Sequence, residues 1–418
     1  MINIIKSSFN RKSAKLTAAF FLLFITGFTP AVIGQTDDYQ IKFSGYVRSD
    51  AMFDSRQTVS ARESHFLLYP ANEKFNNSGE DLNNKASLNM LSIQTRLRGK
   101  VTGPEAFGAK SSGLIEGEFF GHSDGDINGF RLRHAFVNLD WANTSLLIGQ
   151  FWNPMFVLEV YPGVVSFNGG VPFQPVARNP QVRITQRINL FNASFTAAFQ
   201  RDFTTLGPSG ASSEYLRNSL LPILDLQLKY IDEHYLLGTG IDFKSIMPRL
   251  VTDKEYSASE RVNSLAFMAY SKFNFGGFTI KMESIYGENL TDLLMLGGYA
   301  CVSKDPESGV ESYSPLTVFS AWTDLSYHWF TTAGLFIGYT ENLGSDKEIN
   351  GEYYARGNNI KNVFRVSPRL AVQSGSLSLQ AELEFTSAAY GEPDIFGKIE
   401  NSKGVANTRL LMSASLLF

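Results

Sequence analysis

The sequence predicts an all-β protein: a transmembrane antiparallel β-barrel of sixteen strands, with long external loops and short periplasmic turns. Fourteen and eighteen are the neighbouring even counts. Three observations carry this. First, the chain ends in a strand that faces two solvents. Leu410, Met412, Ala414, Leu416 and Phe418 share one face, and Asn407, Arg409, Ser413 and Ser415 share the other. A soluble domain rarely ends on an apolar strand, whereas in a barrel the last strand closes the wall and a terminal aromatic serves as the signal read by the barrel-assembly machinery. Second, no run of 18 apolar residues is present, which argues against a helical membrane protein. Third, the spacers between strand candidates alternate between short and long, for which a soluble β-sandwich has no reason.

Taken in order, Lys6, Arg11, Lys12 and Lys15 form a basic start, and the apolar stretch Leu16–Phe28 follows. Small residues at Val32-Ile33-Gly34 then complete the pattern of a signal peptide over 1–34, with a barrel domain over 35–418. Strands are expected at 40–53, 88–101, 112–121, 128–140, 144–151, 181–189, 191–201, 221–232, 235–246, 261–273, 277–286, 315–328, 331–341, 361–373, 376–387 and 405–418. Short spacers include Ala142-Asn143 and Ser374-Gly375; long ones include 54–87, 152–180, 202–220, 287–314 and 388–404. Two spacers break the rhythm, a longish turn at 102–111 and a short loop at 122–127. Alternation is clean in 376–386, where Leu377, Leu379, Ala381, Leu383 and Phe385 oppose Ser378, Gln380, Glu382 and Glu384. In 131–141 the phase slips after Arg133, as a bulge would cause.

Composition agrees. Apolar residues make up 44% and aromatics 13%, with 35 glycines, as a barrel with a polar lumen, interfacial girdles and many turns requires. Net charge is −3, and losing the four basic residues of the leader makes it −7, so no nucleic-acid partner is expected. The lone Cys301 excludes an intramolecular disulfide.

The polar face carries arginine. Arg96, Arg98, Arg131, Arg133, Arg183 and Arg187 alternate with apolar neighbours and are expected to line the lumen, with Glu116 and Glu118 between the first two pairs. Two roles are open to them: attraction of anions, or cross-strand ion pairs that stiffen the wall. Two carboxylates leave four of six positive charges unneutralised, which favours the first. A second set, Arg365 and Arg369 beside Glu382 and Glu384, is balanced and reads as wall. The segment 152–180 is apolar and rich in Pro and Gly, with Trp152, Tyr161 and Phe167 as aromatics and Glu159 as its one acid. Such a loop should fold into the barrel as a constriction or pack against a neighbouring subunit. Asp124-Gly125-Asp126-Ile127-Asn128-Gly129 begins like a calcium loop, but Ala135 stands where the bidentate glutamate belongs. No nucleophile, phosphate-binding or metal motif emerges, so no cofactor and no enzymatic activity are expected.

Phrases in order along the chain carry a family resemblance: Ser44-Gly45-Tyr46-Val47-Arg48, Arg131-Leu132-Arg133-His134-Ala135-Phe136, Leu147-Ile148-Gly149-Gln150-Phe151-Trp152-Asn153-Pro154, Arg178-Asn179-Pro180 and Tyr286-Gly287-Glu288-Asn289. Together they resemble the DcaP-like outer-membrane porins and, more loosely, the phosphate-selective porins O and P. The resemblance implies a trimeric channel in the bacterial outer membrane, surrounded by lipid, that favours small anions such as dicarboxylates. The alternatives are a substrate-specific or receptor-like outer-membrane barrel, for which no segment is long enough to be a plug domain, and a barrel enzyme or adhesin.

Overall fold

The computed structural model describes residues 39–418. The expected leader lies outside the described residues. Sixteen strands form the wall: β1 (Gln40–Asp54), β2 (interrupted, Ser87–Leu91 and Arg96–Thr102), β3 (Lys110–Glu118), β4 (Arg131–Asp140), β5 (Thr144–Trp152), β6 (Arg178–Ile188), β7 (Phe191–Ala198) and β8 (Ile223–Ile231) make the first half. The second half is β9 (Tyr235–Ile246), β10 (Val262–Phe275), β11 (Phe278–Glu288), β12 (Glu311–His328), β13 (Thr332–Gly344), β14 (Ile360–Ser374), β15 (Leu377–Pro393) and β16 (Ile399–Leu417). Each is antiparallel to the next, and β1 pairs with β16 from Tyr46↔Leu417 to Asp54↔Arg409, so the sheet closes on itself. Closure leaves no edge, which lipid requires because it offers backbone groups no hydrogen-bond partner. Among the described residues no helix is long and apolar enough to cross a membrane.

The alternation read from the sequence is physical. Leu379, Leu383, Phe385, Leu410, Met412 and Leu416 are exposed on the outer wall, while Glu382, Glu384, Arg409 and Ser413 are buried inside. Exposed aromatics gather at the short-turn rim, among them Phe191, Tyr235, Phe275, Phe278, Trp329 and Phe418, as an interfacial girdle does. The phase slip in β4 is a bulge. Glu116 pairs with His134 and Gly117 with Leu132, so Arg133 is the extra residue, and Arg133 and His134 both turn inward.

Two expected loops carry wall pairing: within 287–314, Gly297–Lys304 pairs with β12 from Gly298↔Leu316 to Lys304↔Glu311, and a second departs further. Residues 388–404 are not a loop but the top of a tall hairpin, paired from Ser387↔Ala406 to Pro393↔Ile399. Its turn is closed by Asp394, whose carboxylate accepts the Phe396 and Lys398 N–H groups. Gly391, Pro393, Gly397 and Gly404 give that stretch a loop-like composition, which the ladder overrides.

The lumen has an apolar core of its own. Phe66 and Leu68 from the segment after β1, and Met155, Val157, Val160, Val171 and Phe173 from the segment after β5, cluster with Leu236, Met268, Ile285, Trp322 and Phe336 of the wall. Burying each such side chain is worth roughly 1.5–3 kcal/mol, enough in sum to hold both segments inside rather than in external water.

Candidate functional site in the barrel lumen

Strand register builds a lattice of arginine and glutamate. Arg96 lies opposite Glu118 and Arg98 opposite Glu116 across β2–β3, while Glu118 faces Arg131 across β3–β4. Cross-strand neighbours of opposite charge attract, and here each carboxylate serves several guanidiniums. Glu118 receives Arg133 at 2.6 Å, Arg131 at 2.7 Å and Arg96 at 3.1 Å. Glu116 receives Arg98 at 2.6 Å and Arg133 at 2.7 Å. The bulge at Arg133 makes this convergence work, because it sets one guanidinium between both carboxylates. Glu116, Glu118, Arg131 and Arg133 are fully buried; the side chain of Arg98 is 46% exposed and that of Arg96 16%.

Two members of the lattice escape the sequence pattern. Arg178, at the start of β6, has the wrong parity for the lumen, yet turns inward and stands 3.6 Å from Glu118. Asp202, in the loop after β7, reaches Arg178 at 2.6 Å and Arg131 at 3.3 Å. The cluster Arg96, Arg98, Arg131, Arg133 and Arg178 therefore faces Glu116, Glu118 and Asp202. Five positive charges against three negative leave two in excess, against four in the sequence count, because Arg183 and Arg187 lie elsewhere while Arg178 and the loop acid Asp202 join.

The other two expected arginines lie elsewhere. Arg187 pairs with Asp140 at 2.7 Å and is partly exposed towards the short-turn rim. Arg183 donates to the Trp152 carbonyl at 2.9 Å, stacks on Phe151 and lines a separate cavity of about 420 Å³ with Lys229 and Glu159. In the second set Arg365 stays beside Glu384 at 3.4 Å, but Arg369 pairs with Asp324 at 2.7 Å rather than with Glu382. Glu382 instead accepts the N–H of Val165.

That last bond belongs to the segment 153–177, which runs around the inside of the wall. Glu159 pairs with Lys229 of β8 at 3.0 Å, and the Tyr161 carbonyl accepts from Lys281 of β11 at 3.0 Å. Val165 donates to Glu382 of β15 and its carbonyl accepts from Arg48 of β1 at 2.7 Å. Arg365 of β14 donates to the Val171 carbonyl at 2.7 Å, and Ser320 of β12 to that of Phe173 at 2.9 Å. Trp152 sits under Arg133 and Arg178 at 5.5 and 5.3 Å and stacks on Phe156 at 4.0 Å. Phe167 joins Phe66 and Phe120 in a cluster of rings, with centroids 4.3 to 5.5 Å apart, over the arginine lattice. Between this segment and the wall lies a cavity of about 550 Å³, lined by Arg48, Arg96, Arg98, Arg133, Arg178 and Glu116 among others. Five guanidiniums and one carboxylate thus face this cavity, and a guanidinium's planar fork can bind a planar oxyanion. Among the described residues no group of His, Cys, Asp and Glu could hold a metal ion.

No family model matches the chain, and neither does any curated protein. Solved structures do match in fold. The chain is similar to the outer membrane channel DcaP of Acinetobacter baumannii over 94% of this chain and 100% of that one, at 16% identity and a TM-score of 0.66. It is also similar to an anion-selective porin from Comamonas acidovorans, at 12% identity, 91% and 100% coverage and a TM-score of 0.54. The trimer form of OmpT, an outer membrane protein of Vibrio cholerae, gives 10% identity, 91% and 99% coverage and a TM-score of 0.54. At these identities the likeness is one of fold, and the fold is that of outer-membrane channels. A closed sixteen-stranded wall with an apolar exterior belongs in the bacterial outer membrane.

Proposed function

We propose that this chain is a porin: a passive, non-catalytic diffusion channel for small hydrophilic solutes that prefers anions such as dicarboxylates and assembles as a homotrimer. The observation that carries the reading is the excess of guanidinium over carboxylate around the cavity beneath the segment 153–177. A charged ring in a narrow pore selects by sign, and arginine binds carboxylate through two parallel hydrogen bonds. The fold shared with an anion-selective porin and with a barrel described in a trimer form supports both halves of the proposal.

Planar-bilayer recording in a salt gradient tests it. The wild-type reversal potential should show anion preference, weakening as ionic strength rises past about 0.1 M, where the Debye length is roughly 10 Å. Because Arg131 and Arg133 are fully buried, their removal would mix folding with selectivity, so the test substitutes the accessible pair. Arg96→Gln with Arg98→Gln should move the reversal potential towards cations and slow dicarboxylate uptake into liposomes. A wild-type channel that prefers cations at low salt, or a double variant with unchanged preference, would refute the proposal.

A further inference from the structure

We infer that Asp202 is a built-in competitor: a carboxylate of the protein that occupies an arginine fork beside the cavity and so competes there with a solute carboxylate. The inference rests on the porin reading and adds to it the residue that sets how tightly anions are held. Asp202 binds Arg178 through two bonds, from Nε at 2.9 Å and Nη2 at 2.6 Å, and also accepts from Arg131 Nη1 at 3.3 Å. Both Arg178 bonds go to Oδ2 while Oδ1 faces Arg131, so this one carboxylate bridges two guanidiniums by charge-assisted bonds. Yet Asp202 belongs neither to a barrel strand nor to the segment 153–177; it comes from the loop after β7. Phe203 beside it packs on Phe66, with ring centroids 5.7 Å apart, so the acid enters together with the aromatic cluster over the lattice. Arg178 ties Asp202 to the cavity. One edge is taken by Asp202, while its Nη1 is buried, makes no hydrogen bond among the described residues, stands 3.6 Å from Glu118, and belongs to a side chain that lines the cavity of about 550 Å³. An anion in the cavity thus meets an arginine whose near edge is already filled by Asp202 and whose Nη1 also faces Glu118.

The test uses the full-length channel in planar bilayers with succinate as probe. Asp202→Asn keeps the size but gives up the charge and turns one acceptor oxygen into an amide donor. It should tighten succinate block by roughly tenfold, the worth of about one charge-assisted hydrogen bond at 1.4 kcal/mol per factor of ten. Asp202→Glu should resemble wild type. Glu159→Gln removes a lumen carboxylate that does not touch Arg178, and should leave the block unchanged. Asp202→Asn matching wild type, or Glu159→Gln tightening the block equally, would overturn the inference. So would an Asp202→Asn channel of larger conductance with unaltered block, since that would mean a released loop. The wild-type reversal potential stands apart: its failure to favour anions would count against the porin reading, whereas a null difference between Asp202→Asn and wild type counts only against the competitor.

Discussion

Replacing Glu118 by Gln tests whether the arginine lattice is structural as well as electrostatic. Arg133, Arg131, Arg96 and Arg178 approach this one carboxylate at 2.6, 2.7, 3.1 and 3.6 Å, and it is wholly buried. Glutamine keeps the volume but turns an amide donor towards guanidiniums that are themselves only donors. Removing one partner of a buried ion pair costs roughly 3–5 kcal/mol, against about 0–1 kcal/mol at the surface. For the roughly 380 described residues, at about 2.1 cal/mol/K of unfolding entropy each, that lowers the melting midpoint by roughly 4–6 °C. The assay is heat-modifiability: the temperature at which the compact barrel converts to the unfolded band in detergent. Asp140→Asn is the control, because its pair with Arg187 is partly exposed and should shift the midpoint by about 1 °C or less. The same Glu118→Gln variant gains one net positive charge in the lumen, so its anion preference should rise while its stability falls. A midpoint within about 1 °C of wild type would show that the four arginines are held by other contacts and that the lattice carries no fold energy.

Three further outcomes follow from the same geometry. Deleting Phe418 should depress insertion, since its N–H and C=O both bond to Gly45, at 3.1 and 2.9 Å, where the barrel closes; insertion at normal yield would refute the closure role. Arg365→Met removes the donor that binds the Val171 and Leu68 carbonyls at 2.7 and 3.0 Å, and should raise single-channel conductance by loosening both internal segments while the ion preference stays, with an unchanged step size as the contrary result. In the loop after β1, the Lys74 N–H and then Arg56 hold the Asp81 carboxyl down to about 2, below the ordinary value of about 4. A lowered folded value means its stabilisation is complete above about pH 4 and lost as pH falls through about 2, so pepsin should nick near the exposed Phe75 and Leu82 at pH 2 but not at pH 4, whereas Asp81→Asn should be cut at both.

Each of the sixteen strands was legible because a barrel wall imposes one rule on every residue, hydrocarbon outside and polar groups inside. That rule survives without any knowledge of neighbours. What the rule does not reach is any contact made across the lumen. Arg178 falls on the outward parity yet points in, and Asp202 follows no period at all, so neither could be counted among the lumen charges. The partners of Arg369 and Glu382 were misread for the same reason: direct register sets those two opposite each other, but Asp324 and the Val165 amide reach them first. A signal did exist for the inward segment after β1, because His65-Phe66-Leu67-Leu68-Tyr69 is an apolar run inside an otherwise polar spacer, and all five residues are buried.

The lattice also divides labour among arginines that look equivalent in the sequence. A guanidinium taken fully out of water is matched by carboxylate, since leaving its charge uncompensated costs roughly 3–5 kcal/mol. Arg131 and Arg133 meet that condition through Glu116, Glu118 and Asp202, and so have little charge left to offer a solute. Arg98, with nearly half its side chain in water and a single carboxylate beside it, can exchange that partner for a passing anion at small cost. Selectivity should therefore track exposure rather than position in the pattern. Within the six arginines on the alternating face, the effect on reversal potential should be largest for Arg98, smaller for Arg96, and masked by instability for Arg131 and Arg133. If single substitutions shift the reversal potential equally at Arg96 and Arg98 despite their different exposure, the field is set by total charge alone, and the carboxylates beside each arginine do not matter.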